Sequence, residues 1–307
     1  MKKLIDMWQS YLNNSEFLSK NTIISYMLDF ESFMKFLLEF KSENITKKDL
    51  ISLTKQDLRA WALYRKNKAV SDRSISRGIS AIKNFLRFCI KTNIIEECNI
   101  IAMKSPKIKK GLPRPISIEK INDILSSIHS LKQTNWIIKR DKALLVLIYS
   151  VGLRINEALQ LNRQDIENNA DFLNILGKGD KVRAVPLVKK VREIIFDYIK
   201  SLDLINLSDI SDALFVNRFG LRLTASAVQK LIQASRKMLN LPDAVTPHAL
   251  RHSCATHIIE NGGDLRSVQE LLGHSSISST QVYTDIAKTH LSNIYDQCHP
   301  MSKKNQK

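Results

Sequence analysis

The sequence is short of the features that mark secreted, membrane-spanning or zinc-binding proteins. Its four cysteines, Cys89, Cys98, Cys254 and Cys298, form no CxxC pair and have no histidine partner at zinc-ligand spacing. That excludes a disulfide framework and a zinc finger, and implies reduced, packing thiols in a cytoplasmic protein. No long hydrophobic run is present: the longest, ALLVLIYSVGL, is about half of what spans a bilayer, so no membrane association is expected. The opening MKKLIDMW carries lysines, but Asp6 breaks up any apolar segment of a secretion leader. There is no internal repeat and no low-complexity tract. The one GKG, at 177–179, lacks the spacing and the following Ser or Thr of a nucleotide-binding loop.

Acidic residues are the other shortage. Against 47 lysines and arginines stand 30 aspartates and glutamates, a formal charge of +17 with a pI near 9.7. An excess of that size favours a polyanionic partner, because each cation placed near a phosphate releases a condensed counterion. The excess is spread out. Residues 1–104 hold 18 basic and 11 acidic side chains, 105–118 add Lys107, Lys109, Lys110 and Arg114 without an acid, and 119–307 hold 25 against 19. A protein that surrounds a duplex would carry charge in this way.

At 307 residues the chain has room for two domains with separate cores. The first hundred residues read as helices. Ile23, Ile24, Met27, Phe30, Phe33, Met34, Leu37 and Leu38 recur at three- and four-residue spacing between Leu18 and Phe40. Further helices are expected over about 54–66, with Thr54 as cap, and over 72–92. The last has Ile75, Ile79, Ile82, Phe85, Leu86 and Cys89 on its apolar face and Arg73, Arg77, Lys83, Arg87 and Lys91 on the other. KSPKIKKGLPRPIS, residues 104–117, holds three of the seven prolines and breaks the pattern. The expected organisation is an N-terminal helical domain over 1–104, a basic linker over 105–116, a second domain over 117–300 and a disordered basic tail over 301–307. The second half is mostly helical, near 188–201, 224–239, 246–261 and 264–273, with a β-hairpin in DFLNILGKGDKVRAVPL turning at Gly177–Asp180.

Chemistry concentrates in TPHALRHSCATHIIENGGDLRSVQELLGHSSISSTQVYTDI, residues 246–286. Thr246 is a good N-cap and Pro247 fits the first helical position. His248 and Arg251 then lie three apart on the first turn, and a helix N-terminus bearing such a pair suits a phosphate. Gly262 and Gly263 end that helix, Asp264 caps the next, His274 follows its terminating glycine, and Tyr283 lies nine residues on. His252 and His257 read as packing or hydrogen-bonding residues, and Glu157 as orienting an arginine.

The stretch resembles the C-terminal signature of the tyrosine recombinase, or phage integrase, family: HxLRHxxATH followed by LLGHxSIxxTQxYT. VGLRINEALQL is similar to the family's first arginine box, LGKGDKVRAVPL to the hairpin bearing its lysine, and FLSKNTIISYMLDFESFMKFL to the opening helix of its DNA-clamping domain. Nearly the whole chain is covered, in order, and the two-domain length is closest to the Xer-type subgroup. The departures, Val151 before Gly152 and Ser279, are where threonine is frequent. The resemblance implies a mainly α fold with a small antiparallel β-sheet in the C-terminal domain, arranged as a two-domain C-shaped DNA clamp. It also implies site-specific cutting and rejoining of duplex DNA, with no cofactor and no metal.

Carried over residue by residue, the family pattern puts Arg154, Lys178, His248, Arg251 and His274 around the scissile phosphate and makes Tyr283 the nucleophile of a 3′-phosphotyrosine intermediate. Two guanidiniums would grip the non-bridging oxygens. His248 would accept the tyrosine proton, Lys178 would protonate the leaving 5′ oxygen, and His274 would donate to a phosphate oxygen. The implied partners are a dif-like double-stranded site and a tetramer on DNA, built from this chain alone or together with a paralogous recombinase. A septal DNA translocase would be a further partner, and the role would be chromosome-dimer resolution in chromosome partition at cell division. A DNA-binding protein that has lost catalysis, a type IB topoisomerase and the integrase of a mobile element remain as alternatives.

Overall fold

The computed structural model describes residues 1–14, 18–40, 45–98, 100–101, 115–131, 133–167, 171–177, 182–205, 210–273 and 298–301. Its contacts divide the chain into two compact units, Met1–Gly111 and Leu112–Lys307. Both are helical, and the described strands form one antiparallel pair. The expected fold class, mainly α with a small antiparallel sheet, is the one found. Residues 102–114, most of the expected linker, lie outside the described residues.

The first unit contains α1 (Lys2–Asn13), α2 (Lys20–Phe40), α3 (Lys47–Ile51), α4 (Lys55–Asn67) and α5 (Asp72–Lys91). Helix starts follow capping chemistry. Thr46 and Thr54 each accept from the backbone of an aspartate three residues on, and those aspartates, Asp49 and Asp57, accept in return from the threonine backbone at 2.7 Å. The core is aromatic: Trp8 lies edge-on to Phe30 and Phe85, with ring centroids 5.1 and 5.3 Å away, and its Nε1 donates to Asn84 Oδ1 at 2.9 Å. Asp29 of α2 is buried there and accepts from Arg65 Nη2 at 3.1 Å and Arg77 Nε at 2.7 Å. The basic face read along α5 needs correction at Lys83, which is buried, with its pKa lowered first by burial and then by Arg87. Arg73, Arg77, Arg87 and Lys91 are exposed.

In the second unit, α6 (Ile118–Ser127) and a short 3-10 turn lead into α7 (Asn135–Val151), α8 (Ile155–Gln160) and α9 (Arg163–Glu167). The hairpin β1 (Phe172–Leu176) and β2 (Val182–Pro186) follows, then α10 (Lys189–Asp203), α11 (Ala225–Met238), α12 (Pro247–Glu260) and α13 (Leu265–Leu272). The apolar run noted in the sequence is the C-terminal half of α7, where every residue from Ala143 to Val151 is buried. This helix is the axis of the unit, packed between α10 and α12. The strands pair with Leu173 opposite Val185 and Ile175 opposite Arg183. Cys298 and His299 are buried in the core of the same unit, and Met301 packs against it. Among the described residues no helix is long and apolar enough to cross a membrane.

Gly78 of α5 faces the fully buried Trp61 indole, and a Cβ there would fall 2.4 Å from Trp61 Cη2. Gly78→Ala should therefore destabilise the first unit by about 1–3 kcal/mol through overpacking. Urea unfolding followed by tryptophan fluorescence should show an earlier transition; an unchanged midpoint would mean that the indole can move aside.

Candidate active site

Three guanidiniums from three separate elements meet on one carboxylate. Gly152 ends α7 in the left-handed conformation at φ 66°, and a Cβ there would come 2.7 Å from Leu272 Cδ2, so glycine is required both sterically and conformationally. The chain then turns at Arg154, the N-cap of α8, whose backbone N–H donates to Glu157 Oε2 at 2.8 Å. This is the acidic half of a capping box, and it draws Glu157 inward, where the residue is buried. Arg154 Nη1 donates to Glu157 Oε1 at 2.7 Å, and the side chain stays 47% exposed.

Arg183, on β2, reaches the same carboxylate with both terminal nitrogens, Nη1 to Oε1 at 3.2 Å and Nη2 to Oε2 at 2.7 Å. Arg251, on α12, donates Nη1 to the Gly152 carbonyl at 2.6 Å and to Glu157 Oε2 at 3.4 Å, and Nη2 to the Leu272 carbonyl. Arg183 Nε donates to the Leu271 carbonyl at 3.0 Å. Two carbonyls of the last turn of α13, orphaned by the helix end, are thus capped by arginines.

Electrostatics here are lopsided. Burial alone would raise the pKa of Glu157, but the bonds from Arg183 and from the backbone and side chain of Arg154 outweigh it and hold the carboxyl below its usual range. Arg251 shows the opposite response: burial first, then Arg154 and Arg183, pull its pKa down to about 10, and Glu157 does not make up the difference. Both follow from one anion shared among three cations. Arg251 still carries its charge at neutral pH, so the cluster keeps a surplus of positive charge that a further anion would neutralise.

Of the six residues expected at the site, the structure brings Arg154 and Arg251 together. His248 lies in the first turn of α12, is exposed, and shares a hydrogen bond with His252, Nε2 to Nε2 at 3.0 Å, so the proton between the rings can sit on either. Lys178, His274 and Tyr283 lie outside the described residues. Arg183 was not singled out in the sequence; an arginine on the inward register of a strand, opposite Ile175, is the signal that marks it. His257 has the hydrogen-bonding role expected: its Nδ1 lies 2.8 Å from Tyr149 Oη in the core.

A carboxylate whose folded pKa is depressed stabilises the fold above its unfolded value of about 4.3, and that contribution is lost as pH falls through the folded value. Stability of the second unit should therefore drop with a Glu157-dependent slope below about pH 4. Glu157→Gln should be less stable at neutral pH but flatter across that acid range. Equal slopes for the two proteins in acid titrations of thermal stability would contradict the ionised pairing.

Comparison with known proteins places these features in context. The Phage integrase family pattern matches residues 116–290, and the pattern described as Phage integrase, N-terminal SAM-like domain, matches residues 5–93. Tyrosine recombinase XerC of Rickettsia bellii (strain OSU 85-389) is 38% identical over 303 residues, 99% of this chain and 98% of that protein. Its namesake in Rhodospirillum centenum is 35% identical over 98% of this chain and 87% of that protein. Among solved structures, XerH recombinase bound to its difH substrate superposes with a TM-score of 0.67 at 23% identity, covering 96% of this chain and 91% of that one. The Tn1549 transposon integrase in complex with circular intermediate DNA gives 0.66 at 20% identity, covering 97% of each chain. At those identities the structural likeness speaks for the fold.

Proposed function

The chain belongs to the phage integrase family and is a Xer-type tyrosine recombinase; from that premise we propose that it exchanges DNA strands at a dif-like site through Tyr283, using the arginine cluster to hold the scissile phosphate. The observation that carries the reading is the charge balance at Glu157: three guanidiniums, one carboxylate and three helix-end carbonyls make a site short of negative charge. A phosphodiester gains charge on its non-bridging oxygens on the way to the pentavalent transition state, and donors held in advance lower that barrier most effectively. Arg154, half exposed on a fixed stem, and Arg251 behind it are the two that would bind those oxygens.

In the proposed cycle Tyr283 Oη attacks phosphorus as the bond to the 5′ oxygen breaks. The tyrosine proton passes to His248, and the departing 5′ oxygen takes a proton from Lys178 and leaves as a hydroxyl. His274 donates a hydrogen bond to the phosphate. The 3′-phosphotyrosine keeps the energy of the broken ester, so attack by the 5′ hydroxyl of a second duplex reverses the chemistry and rejoins the strand. Four protomers, each cutting one strand, would complete an exchange between two sites, alone or with a paralogous recombinase and under a septal DNA translocase. The biological role this supports is resolution of chromosome dimers in the cytoplasm of a dividing cell.

Covalent capture tests the reading. The protein is mixed with fragmented genomic DNA from its own source, denatured, and recovered with any DNA still attached. One family of DNA sequences, joined by its 3′ phosphate to the peptide containing Tyr283, is expected. Tyr283→Phe should yield none. Recovery from the unmutated protein no greater than from Tyr283→Phe would remove the enzyme reading.

A further inference from the structure

We propose that Arg183 is a positioning residue for strand cleavage, acting through Glu157 on Arg154 and Arg251; this rests on the reading above of those two arginines as the phosphate-binding pair. Arg183 is 6% exposed, its Nε and both terminal nitrogens donate within the protein, and it is through these neighbours that it would act. What it supplies is orientation. Two roughly parallel bonds from a planar guanidinium fix the plane of the Glu157 carboxylate, which a point-charge ammonium cannot do. With that plane fixed, Oε1 is aimed at Arg154 Nη1 and Oε2 at the Arg154 backbone and Arg251 Nη1. A carboxylate free to rotate would carry the half-exposed Arg154 guanidinium with it.

The same side chain ties together three stretches of chain. It stands on β2 opposite Ile175, three residues before Lys178 in the sequence. Through Glu157 it holds the start of α8, and through the Leu271 carbonyl the end of α13, immediately before His274. Gly273, left-handed at φ 65°, leaves space for it: a Cβ there would lie 3.1 Å from Arg183 Cδ and 3.2 Å from Nη1. A displacement on the order of 1 Å at a reacting centre costs about 100-fold in rate.

The test uses the full-length protein and a nicked suicide duplex bearing the sequence recovered on Tyr283 in the capture experiment. Single-turnover adduct formation is compared with affinity for the same duplex, the latter measured in the Tyr283→Phe background. Arg183→Lys, which keeps the charge and loses the fork, should slow adduct formation by about 100-fold and change affinity less than about threefold. Glu157→Gln should behave alike. The double variant should be no more than about threefold slower than the slower single one, because the two act as a unit. A rate within about threefold of the unmutated protein, an affinity that falls by the same factor as the rate, or losses that multiply in the double variant would each overturn the proposal. Should Arg183→Lys fail to fold, Glu157→Gln puts the same question with Arg183 in place, and an unchanged rate there also overturns it. Absence of adduct from the unmutated protein would instead sink the underlying reading, a result that cannot be confused with the others.

Discussion

The second unit depends on one shared carboxylate. Glu157 accepts from the start of its own helix, from the strand arginine and from the arginine of α12, so the first-arginine loop, the hairpin and α12 take their relative positions from it. Buried ion pairs are weak contributors to stability when compared with apolar packing, but removing one partner leaves a charge stranded and costs about 3–5 kcal/mol. Glu157 therefore specifies geometry more than it stabilises the fold. Its single negative charge against three positive ones is also too little for electrical balance, and that shortfall is what a phosphate can use.

A similar device stands in the N-terminal unit. Asp29, buried in α2, holds Arg65 from α4 and Arg77 from α5, and Arg77 remains 44% exposed, close to the value for Arg154. Each unit thus presents a half-exposed arginine whose guanidinium is already fixed on a buried acid. A free arginine loses about 1.5–2 kcal/mol of rotamer entropy when it is immobilised. A guanidinium held in this way has lost most of that freedom before any partner binds.

Much of this was legible in the sequence, and the failures have definite causes. Helices with one apolar face or a good cap were readable, as in α4 from Thr54, α5 from its Ile and Phe spacing, and α12 from Thr246 and Pro247. The core of α7 was not. Buried on all sides from Ala143 to Val151, it shows no period and reads only as an apolar run. Lys83 looked like part of a basic face because periodicity reports direction and not depth. Arg154, Arg251 and His248 stood out through a motif, and Glu157 was read as a partner for one arginine where it serves three. Arg183 escaped because its significance lies in pairing: Ile175 opposite it is buried, and only the register between strands places an arginine there.

Helix ends supply the rest of the balance at the site. Arg251 is flanked by the carbonyl of Gly152, at the end of α7, and that of Leu272, at the end of α13, while Arg183 takes the carbonyl of Leu271. The C-terminal ends of helices carry roughly half a negative charge each. Two such ends make a buried guanidinium tolerable without adding an ionisable group, which would otherwise compete with the phosphate for the arginines. This explains why both helices end on left-handed glycines, Gly152 and Gly273. Each turns the chain sharply enough for its last carbonyls to face an arginine, and a side chain at either would meet Leu272 or Arg183. The surplus charge is thereby softened enough for the unit to fold and left in place for the phosphodiester of the proposed reaction.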